Sequence, residues 1–356
     1  MGIACCVDMG SHNLENSSLY QINRYAKCDS KKDQILPESN RESHISISSK
    51  NNPLKNSFNK KQYLKNKKGE FLIFGYDAVD EYYQEIKVTL PIIKTIEGMS
   101  ELNMDRNLFL CGISPKQKNE GSFLLKINID KYNSGENDQL KAEVLINSQH
   151  THIYPSLIHD KKEKILCIGG KGQTKCEVYN LTYNKWFTLP ELQEERYKCT
   201  LCLDYLGNFV YLFGGVSTDP ELKNNENKDN SQINVLRMDL ENQLIWENLI
   251  VKNTQRYLNI NRTSSGAFTF QYDENFIFIV GGEDSNENCL DDVIRFSIKK
   301  LTFESTNMKL KNRAKFMNQN GVSIDEQSHC LIDCFNNIHI IERHDCLPID
   351  YHMDEI

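Results

Sequence analysis

The 356 residues of this chain, 41.3 kDa, are about twice a typical domain, which favours one large all-β or α/β unit or two smaller domains. Hydrophobic residues make up 39% and charged residues 26%, and no apolar run reaches the roughly 20 residues that a membrane-spanning helix needs. These values exclude the collagenous, fibrous and transmembrane classes. The net charge of −7 argues against a main role in coating nucleic acid, so we expect no nucleic-acid partner.

Charge and composition divide the chain near residue 70. Residues 1–70 carry twelve Lys and Arg against seven Asp and Glu, a net charge of +5, which leaves −12 for residues 71–356. The first segment is rich in Asn, Ser and Lys without a sustained hydrophobic period, a composition that cannot offset the entropy of ordering the chain. We therefore predict a mostly disordered, basic tail over residues 1–70 and a folded domain over residues 71–356.

The N-terminus begins Met-Gly-Ile-Ala-Cys-Cys and lacks the basic and long apolar regions of a secretory signal peptide. We therefore expect a cytoplasmic protein whose twelve cysteines are thiols rather than disulfides. The opening resembles the dually acylated N-termini of peripheral membrane proteins, although Cys6 stands where Ser or Thr is usual. The resemblance implies a myristoyl group on Gly2, palmitate on Cys5 or Cys6, and association with the cytosolic face of a membrane.

A lysine-rich run at the end of the tail offers a second membrane signal. One myristoyl chain binds a bilayer only marginally, and basic residues near an anionic leaflet stabilise the attachment. The alternative is an unmodified tail whose cysteines are incidental and whose lysines are merely solvated. The candidate membrane-contact residues are Lys50, Lys55, Lys60, Lys61, Lys65, Lys67 and Lys68.

From residue 71 onward, short β-rich runs recur and end in paired glycines. The three intact copies are KILCIGG (164–170), FVYLFGG (209–215) and FIFIVGG (276–282), and LFLCGI (108–113) is a degraded copy. Each run follows another strand-like run and a polar turn, which predicts a tight hairpin that ends at Gly-Gly.

A second hairpin follows each glycine pair. It is marked by an apolar–polar–aliphatic triplet that precedes an aromatic residue by five or six positions, a pattern that also opens the domain at residues 76–83. The triplets with their aromatic residues are Tyr179-Asn180-Leu181 with Trp186, Met238-Asp239-Leu240 with Trp246, and Phe296-Ser297-Ile298 with Phe303.

The two ends of the domain each lack half of this unit. The hairpin at residues 71–90 has no partner before it, and the hairpin at residues 331–343 has no second half after it. We therefore predict that the chain start and the chain end share one blade, because closure of a β array removes the exposed sheet edges.

The order strand, Gly-Gly, strand, aromatic, at about fifty residues per unit over roughly residues 71–345, resembles the kelch repeat of β-propellers. The resemblance implies an all-β propeller of five or six four-stranded blades. Glycine allows φ > 0 or close backbone approach where an inner strand ends, and tryptophan packs between blades. The arginine usual before the first strand is present only at some joints, as Arg196 and Arg262. The predicted structural residues are Gly169, Gly170, Trp186, Gly214, Gly215, Trp246, Gly281 and Gly282.

No catalytic, metal or cofactor motif accompanies the repeats. Sialidase-type turns, phosphate-binding loops, HExxH and GxSxG are missing from the sequence. Cys199 and Cys202 have CxxC spacing, but residues three apart on one strand point to opposite faces, so buried thiols are expected. The His- and Cys-rich series from His329 to Cys346 also lies on predicted strands, which argues against zinc. We therefore expect no catalytic residue, no cofactor and no metal, and we predict that the chain is not an enzyme.

Loop lengths make one rim of the predicted propeller the candidate binding surface. In a four-stranded meander the 1–2 and 3–4 turns emerge at one end and the 2–3 and 4–1 connections at the other. The 1–2 turns here are short, whereas long polar insertions lie between strands 2 and 3, although an Asn-rich insertion without a binding role is equally expected for residues 216–232. Recognition often resides on loops of a rigid scaffold. The candidate partner-binding residues are Asp219, Glu221, Asp284 and Glu287.

Together these features predict a membrane-tethered scaffold that binds an unidentified protein partner through one rim of a monomeric kelch propeller. The first alternative is an untethered adaptor, in a cytoskeletal or ubiquitin-ligase-type assembly as kelch relatives often are. The second alternative is an enzyme of the sugar-oxidase or sialidase kind, which requires a pocket of convergent titratable groups on the propeller axis.

Overall fold

Short β-strands make up most of the chain that the structure describes. This computed structural model describes residues 60–67, 70–77, 82–90, 97–104, 107–114, 120–128, 140–217, 234–242, 244–251, 262–316, 321–335 and 337–347. The first twelve strands are β1 (Lys60–Lys67), β2 (Glu70–Asp77), β3 (Tyr82–Thr89), β4 (Glu97–Met104), β5 (Asn107–Ile113), β6 (Phe123–Asn128), β7 (Leu140–Lys141), β8 (Glu143–Val144), β9 (Ser156–His159), β10 (Lys164–Ile168), β11 (Cys176–Asn180) and β12 (Lys185–Leu189). The strands that follow are β13 (Thr200–Leu203), β14 (Phe209–Phe213), β15 (Asn234–Asp239), β16 (Trp246–Ile250), β17 (Gly266–Phe268), β18 (Phe276–Val280), β19 (Leu290–Ser297), β20 (Thr302–Ala314), β21 (Val322–Ser323), β22 (Ser328–Ile332) and β23 (Ile338–Glu342). One turn of 3₁₀ helix, Arg343–Cys346, follows β23.

Four of the sheets are complete propeller blades, so the predicted all-β propeller fold is confirmed. Each is a four-stranded antiparallel meander, and the first skips one strand of the chain order. The first strands of consecutive blades lie side by side, β4 with β9, β9 with β13 and β13 with β17, as the inner strands around a common axis do. The blades are blade 1 (β4-β5-β6-β8), blade 2 (β9-β10-β11-β12), blade 3 (β13-β14-β15-β16) and blade 4 (β17-β18-β19-β20).

The number of blades differs from the prediction, since the described residues form four complete blades where five or six were expected. The two sheets at the ends of the domain are not complete antiparallel meanders. In the N-terminal sheet, of order β1-β2-β3-β7, the fourth strand pairs in parallel, with Val88 opposite Leu140. The C-terminal sheet, of order β21-β22-β23, has three strands among the residues described. The repeated sequence pattern predicts individual hairpins. It does not show which further strand pairs with each hairpin, so it does not determine the number of blades.

The prediction that the chain start and the chain end share one blade is wrong. β2 pairs with β3 on one side and with β1 on the other, from Lys60 opposite Asp77 to Lys67 opposite Glu70. β22 and β23 lie in a separate sheet with β21. The first hairpin therefore finds its partner in β1, a strand within the segment predicted to be tail. Its sequence, KKQYLKNK, is too polar to be recognised as part of a folded domain. The two terminal sheets are still neighbours, because β1 contacts both β4 and β22.

The aromatic residue of each second hairpin lies directly opposite the first residue of its triplet. These cross-strand pairs join the third and fourth strands of blades 2, 3 and 4, and the same pair joins β2 to β3. The repeated sequence pattern is therefore a mark of strand register, since paired side chains on one face stabilise a sheet. The pairs are Tyr179–Trp186, Met238–Trp246, Phe296–Phe303 and Tyr76–Tyr83.

Both tryptophans pack between blades, as predicted. Trp186 belongs to an apolar cluster shared by blades 1 and 2, and Trp246 to a cluster shared by blades 2 and 3. The Trp186 indole N–H donates to the carbonyl of Ile146 at 2.7 Å, and that of Trp246 donates to the carbonyl of Pro190 at 3.1 Å. Each acceptor lies just after the fourth strand of the preceding blade, so each indole attaches an outer strand to the blade before it.

The paired glycines lie where neighbouring sheets approach most closely. All six have positive φ angles, as the sequence predicted. The N–H of Gly170 donates to the carbonyl of Arg196 at 2.9 Å, and the N–H of Gly215 donates to the carbonyl of Arg262 at 3.3 Å. A Cβ atom on Gly214 would lie 1.9 Å from the Arg262 carbonyl oxygen. Both the backbone angle and the contact across the joint therefore require glycine.

The side chains of Arg196 and Arg262, the two residues whose carbonyls accept these hydrogen bonds, donate hydrogen bonds within their own blades. Arg262 Nη1 donates to the Gly281 carbonyl at 2.9 Å, and its guanidinium binds both carboxylate oxygens of Asp292, at 2.9 and 3.0 Å. Arg196 Nη1 donates to the Gly214 carbonyl at 3.3 Å. Each arginine therefore joins the inner edge of its blade to the end of the second strand, where the glycine pair begins.

In blade 2, His152 occupies the position that Arg196 and Arg262 occupy in blades 3 and 4. The sequence did not predict this role for a histidine. Its Nδ1 lies 2.7 Å from the Gly169 carbonyl oxygen and its Nε2 lies 2.9 Å from a Glu177 carboxylate oxygen. The ring therefore joins the end of β10 to a carboxylate of β11, as Arg262 joins Gly281 to Asp292 in blade 4. Burial acts to raise the pKa of Glu177, but hydrogen bonds from His152 and from the backbone of Gln149 and His150 outweigh it and lower that pKa.

Gly214→Ala should destabilise the protein more than Gly172→Ala. Both glycines have positive φ, 60° and 70°, so the strain on an alanine backbone, about 1–2 kcal/mol, is common to the two variants. At Gly172 an added Cβ meets nothing closer than 3.9 Å, whereas at Gly214 it collides with the next joint. We expect an additional loss of about 2 kcal/mol or more in the free energy of unfolding, measured by urea denaturation. Equal denaturation midpoints for the two variants would contradict this role of the glycine pair.

Candidate functional site

The structure describes some of the residues predicted to contact a membrane or a partner, and the others lie outside the described residues. Lys60, Lys61, Lys65 and Lys67 lie in β1, and Asp284 and Glu287 lie in the 2–3 loop of blade 4. No helix within the described part of the chain combines the length and the hydropathy needed to cross a bilayer. The predictions that lie outside the described residues are those for Gly2, Cys5, Cys6, Lys50, Lys55, Lys68, Asp219 and Glu221.

Asp284 uses its carboxylate to hold its own loop. Oδ1 accepts the backbone N–H groups of Asn286 at 2.9 Å and Asn288 at 2.8 Å, and Oδ2 accepts the Asn288 side-chain amide at 3.1 Å. Burial acts to raise the pKa of Asp284, but these hydrogen bonds outweigh it and lower the pKa below its usual value. The adjacent Glu287 is exposed. A partner at this rim would therefore meet a rigid loop in which one predicted contact residue is already engaged.

The opposite end of the inner strands holds an open cavity of about 340 Å³ on the propeller axis. Five successive sheets, blades 1 to 4 and the C-terminal sheet, supply its lining from their inner strands and 1–2 turns. We call this space the axial cavity. Its lining residues are Leu102, Asn103, Ile158, His159, Lys161, Cys202, Leu203, Tyr205, Ala267, Phe268, Thr269, Gln271, Gly321, Ser323 and His329.

His329 is a neutral imidazole at physiological pH. Its ring centroid lies 4.4 Å from that of Phe268 and 5.3 Å from that of Phe270, and its Nδ1 lies 3.1 Å from the Ser328 carbonyl oxygen. Burial lowers the pKa of His329 to about 4, against smaller opposing contributions from nearby carbonyls and from Asp325. The ring therefore forms part of the cavity wall without a charge.

The cysteines at CxxC spacing are buried thiols, as expected. Cys202 lies in β13, and Cys199 directly precedes this strand. Cys199 packs in the apolar cluster between blades 2 and 3, whereas Cys202 packs in the cluster between blades 3 and 4. They therefore lie on opposite faces of the sheet. Burial raises the pKa of each thiol to about 12, so the Cys202 thiol in the cavity wall stays protonated at neutral pH.

The 1–2 turns around the cavity mouth are tied to one another. Lys161 Nζ, from blade 2, donates to the Tyr205 carbonyl of blade 3 at 3.0 Å and lies 5.9 Å from the Tyr205 ring centroid. The Tyr205 ring lies 5.7 Å from that of Tyr272 in blade 4. Leu206 and Tyr272 are 58% and 63% exposed despite being apolar or aromatic. We call Lys161, Tyr205, Leu206 and Tyr272 the turn face.

An aspartate sets the shape of four of these turns. In each case Oδ1 accepts backbone N–H groups two to five residues ahead, as in Asp204, which accepts the N–H of Phe209 at 2.9 Å. Asp325 does the same in the turn between β21 and β22 of the C-terminal sheet, where it accepts the N–H of Gln327 at 2.7 Å. The acidic groups nearest the cavity mouth are therefore engaged within their own turns. The four aspartates are Asp160, Asp204, Asp273 and Asp325.

This end of the molecule was not predicted, because loop length alone favoured the rim with the long insertions. Tyr205, Leu206 and Tyr272 nevertheless stand at the tips of the short polar turns. A large apolar or aromatic residue at a turn tip was the available signal, since folding alone does not require one there. The convergence of five sheets on one cavity had no local signal at all.

Comparison with known proteins assigns no family to this chain. No protein-family model matches the sequence, and no curated protein matches it. The kelch identity of the repeats therefore stays a prediction, while the propeller architecture is observed.

The protonation of His329 should make the stability depend on acid pH. The pKa of His329 is about 4 when folded and 6.5 in the absence of burial, so the unfolded chain binds the proton more readily. The contribution to stability is complete above about pH 6.5 and decreases by up to about 3 kcal/mol as the pH falls towards 4. His329→Gln, which cannot ionise, should lack this part of the decrease when unfolding is measured at both pH values. Parallel curves for the two proteins across this window would contradict the assignment.

Proposed function

We propose that the chain is a protein-interaction scaffold that binds a partner through the turn face around the axial cavity. The observation that carries the proposal is the exposure of Leu206 and Tyr272 on neighbouring turns. Large aromatic and aliphatic side chains at the centre of a surface are typical anchors of protein interfaces. The polar side chains at the cavity mouth supply the hydrogen-bonding groups that such interfaces also need.

The rigidity of the turns supports the same proposal. Lys161 bridges blades 2 and 3, and the rings of Tyr205 and Tyr272 bridge blades 3 and 4. Asp204 and Asp273 hold the turns from within. A surface that is ordered before binding loses less entropy when the partner docks, which favours affinity.

Binding rather than catalysis is the proposed role of the axial cavity. A nucleophile or an acid–base catalyst needs a pKa near the working pH. Burial shifts the pKa of Cys202 to about 12 and that of His329 to about 4, which places both groups far from that range. We therefore propose a monomeric propeller that is a binding module and not an enzyme.

Substitutions on the turn face should reduce partner binding. We expect the double variant Leu206→Ser, Tyr272→Ser to lose a defined subset of co-purified proteins by about tenfold or more, because interface anchors often contribute 2 kcal/mol or more each. The measurement is quantitative mass spectrometry of proteins bound to the tagged chain in its native cell. Ile250→Ser is the matched control, since Ile250 is 81% exposed on the outer strand of blade 3.

Two comparisons decide this test. Equal losses in the turn-face variant and in Ile250→Ser, or no loss in either, would contradict binding at the turn face. A third variant, Glu287→Lys, tests the rim of 2–3 loops that the sequence predicted as the binding surface. If only this variant loses co-purified proteins, the partner binds at that rim.

We further propose that the propeller is of the kelch type and that acyl groups on Gly2 and on Cys5 or Cys6 tether it to a membrane. The sequence Met-Gly-Ile-Ala-Cys-Cys supports the tether. Four of the seven candidate membrane-contact lysines belong to β1, a paired strand of the domain, and not to a free basic tail. The attachment would therefore depend mainly on the acyl chains, and two chains suffice for stable anchoring.

Gly2→Ala should move the protein from the membrane pellet to the supernatant of a cell lysate, because it removes the acceptor for myristate. Gly10→Ala, a substitution in the same segment, serves as the control and should leave the distribution unchanged. An unchanged distribution for Gly2→Ala would contradict the tether and favour the untethered adaptor.

A further inference from the structure

The axial cavity has an unusual charge composition for this protein. The chain contains 49 Asp and Glu residues, but none of the described residues that line the cavity is acidic. Lys161 places an ammonium group in that lining, and the side chains of Gln271, Thr269 and Ser323 add hydrogen-bonding groups. The lining is therefore suited to an anionic group, which the rest of this acidic protein would repel.

The acidic residues nearest the mouth do not neutralise Lys161 in the structure. Asp160 and Asp204 direct Oδ1 to backbone N–H groups within their own turns, at 2.9 Å in each case. Lys161 Nζ instead donates to the neutral carbonyls of Tyr205 at 3.0 Å and Asp204 at 3.4 Å. These contacts fix the ammonium group at the mouth while its charge stays available to a ligand. Asp325, beside His329, is engaged in the same way, since it accepts the N–H of Gln327 at 2.7 Å.

A second, independent feature points in the same direction. β1, with the sequence KKQYLKNK, contains four lysines and no acidic residue. It contacts β4 and β22, the strands that contribute Asn103 and His329 to the cavity. The most basic strand among those described therefore lies beside two strands of the cavity wall.

We propose that the axial cavity binds a monoanionic carboxylate, supplied by a small organic acid or by a residue of a partner peptide. Among the described lining residues one ammonium group, that of Lys161, can match one negative charge, which favours a carboxylate over a phosphate dianion. Leu102, Ile158, Leu203 and Phe268 provide an apolar wall for the carbon chain that bears the carboxylate. The volume, about 340 Å³, lies within the range of known small-molecule sites, about 300–1,000 Å³. The proposal does not rest on the proposed function, because a free acid would occupy the cavity even if no protein docks on the turn face.

The test uses the full-length protein and two probes of nearly equal shape, hexanoate and hexanamide, at pH 7. We expect hexanoate to bind with a dissociation constant of about 1 mM or lower and hexanamide to bind at least tenfold more weakly. Isothermal titration calorimetry measures the affinities. The side-chain NMR signal of His329, a ring in the cavity wall, should move with hexanoate and thereby locate the site.

Substitution of Lys161 separates the proposed site from general attraction of anions. Lys161→Met should weaken hexanoate binding by about tenfold, the effect of losing one charge-assisted hydrogen bond. Lys162→Met is the matched control and should change the affinity less than twofold. Lys162 is the next residue, but its Nζ pairs with Glu241 at 2.9 Å and it does not line the cavity.

A blocked tripeptide with a central Glu, compared with its Gln counterpart, distinguishes the two sources of the carboxylate. Stronger binding of the Glu peptide than of hexanoate identifies a partner side chain as the natural ligand, and the reverse order identifies a small organic acid. The proposal is overturned if hexanoate and hexanamide bind equally, if neither hexanoate nor the Glu peptide binds at about 10 mM, or if Lys162→Met weakens binding as much as Lys161→Met.

Discussion

In blades 2 and 3 the second glycine of the pair donates its backbone N–H to a carbonyl of the joint that leads into the next blade, and this contact sets how closely the inner strands approach. At Gly170 and Gly215 the acceptors are the carbonyls of Arg196 and Arg262. The Arg262 side chain then holds the next glycine joint, so each joint is connected to the one after it. Close approach at the joints lets the apolar clusters between blades exclude water, which supplies most of the stabilisation of the fold.

The glycine joints lie at one end of the inner strands, and the axial cavity lies at the other. At the glycine end, backbone contacts and partly buried ion pairs such as Arg262–Asp292 and Lys315–Glu283 fill the space between sheets. At the other end the inner strands end in short turns that line the axial cavity. Rigid joints at one end therefore fix the geometry of the cavity and of the turn face at the other, which is what a preorganised binding surface requires.

The sequence predicted the features that repeat locally. Glycine pairs, Trp186, Trp246 and the cross-strand aromatic pairs recur at fixed offsets, and their physical roles follow from backbone angles and strand register. It did not predict β1 or the parallel pairing of β7, because those strands are polar or two residues long. His152 was missed because a histidine that contacts the Gly169 carbonyl and the Glu177 carboxylate stands where the other blades have an arginine. The cavity was missed because its lining comes from residues more than two hundred positions apart, from Leu102 to His329.

Amide hydrogen exchange at the glycine joints tests most directly whether these contacts hold the propeller together. The N–H groups of Gly170 and Gly215 donate across joints at 2.9 and 3.3 Å, and NMR resolves glycine amides individually. The account predicts that both exchange only when the whole domain unfolds, with the free energy found by urea denaturation. Exchange of either one through a local opening of much lower free energy would show that its joint can separate while the fold persists, which contradicts the account.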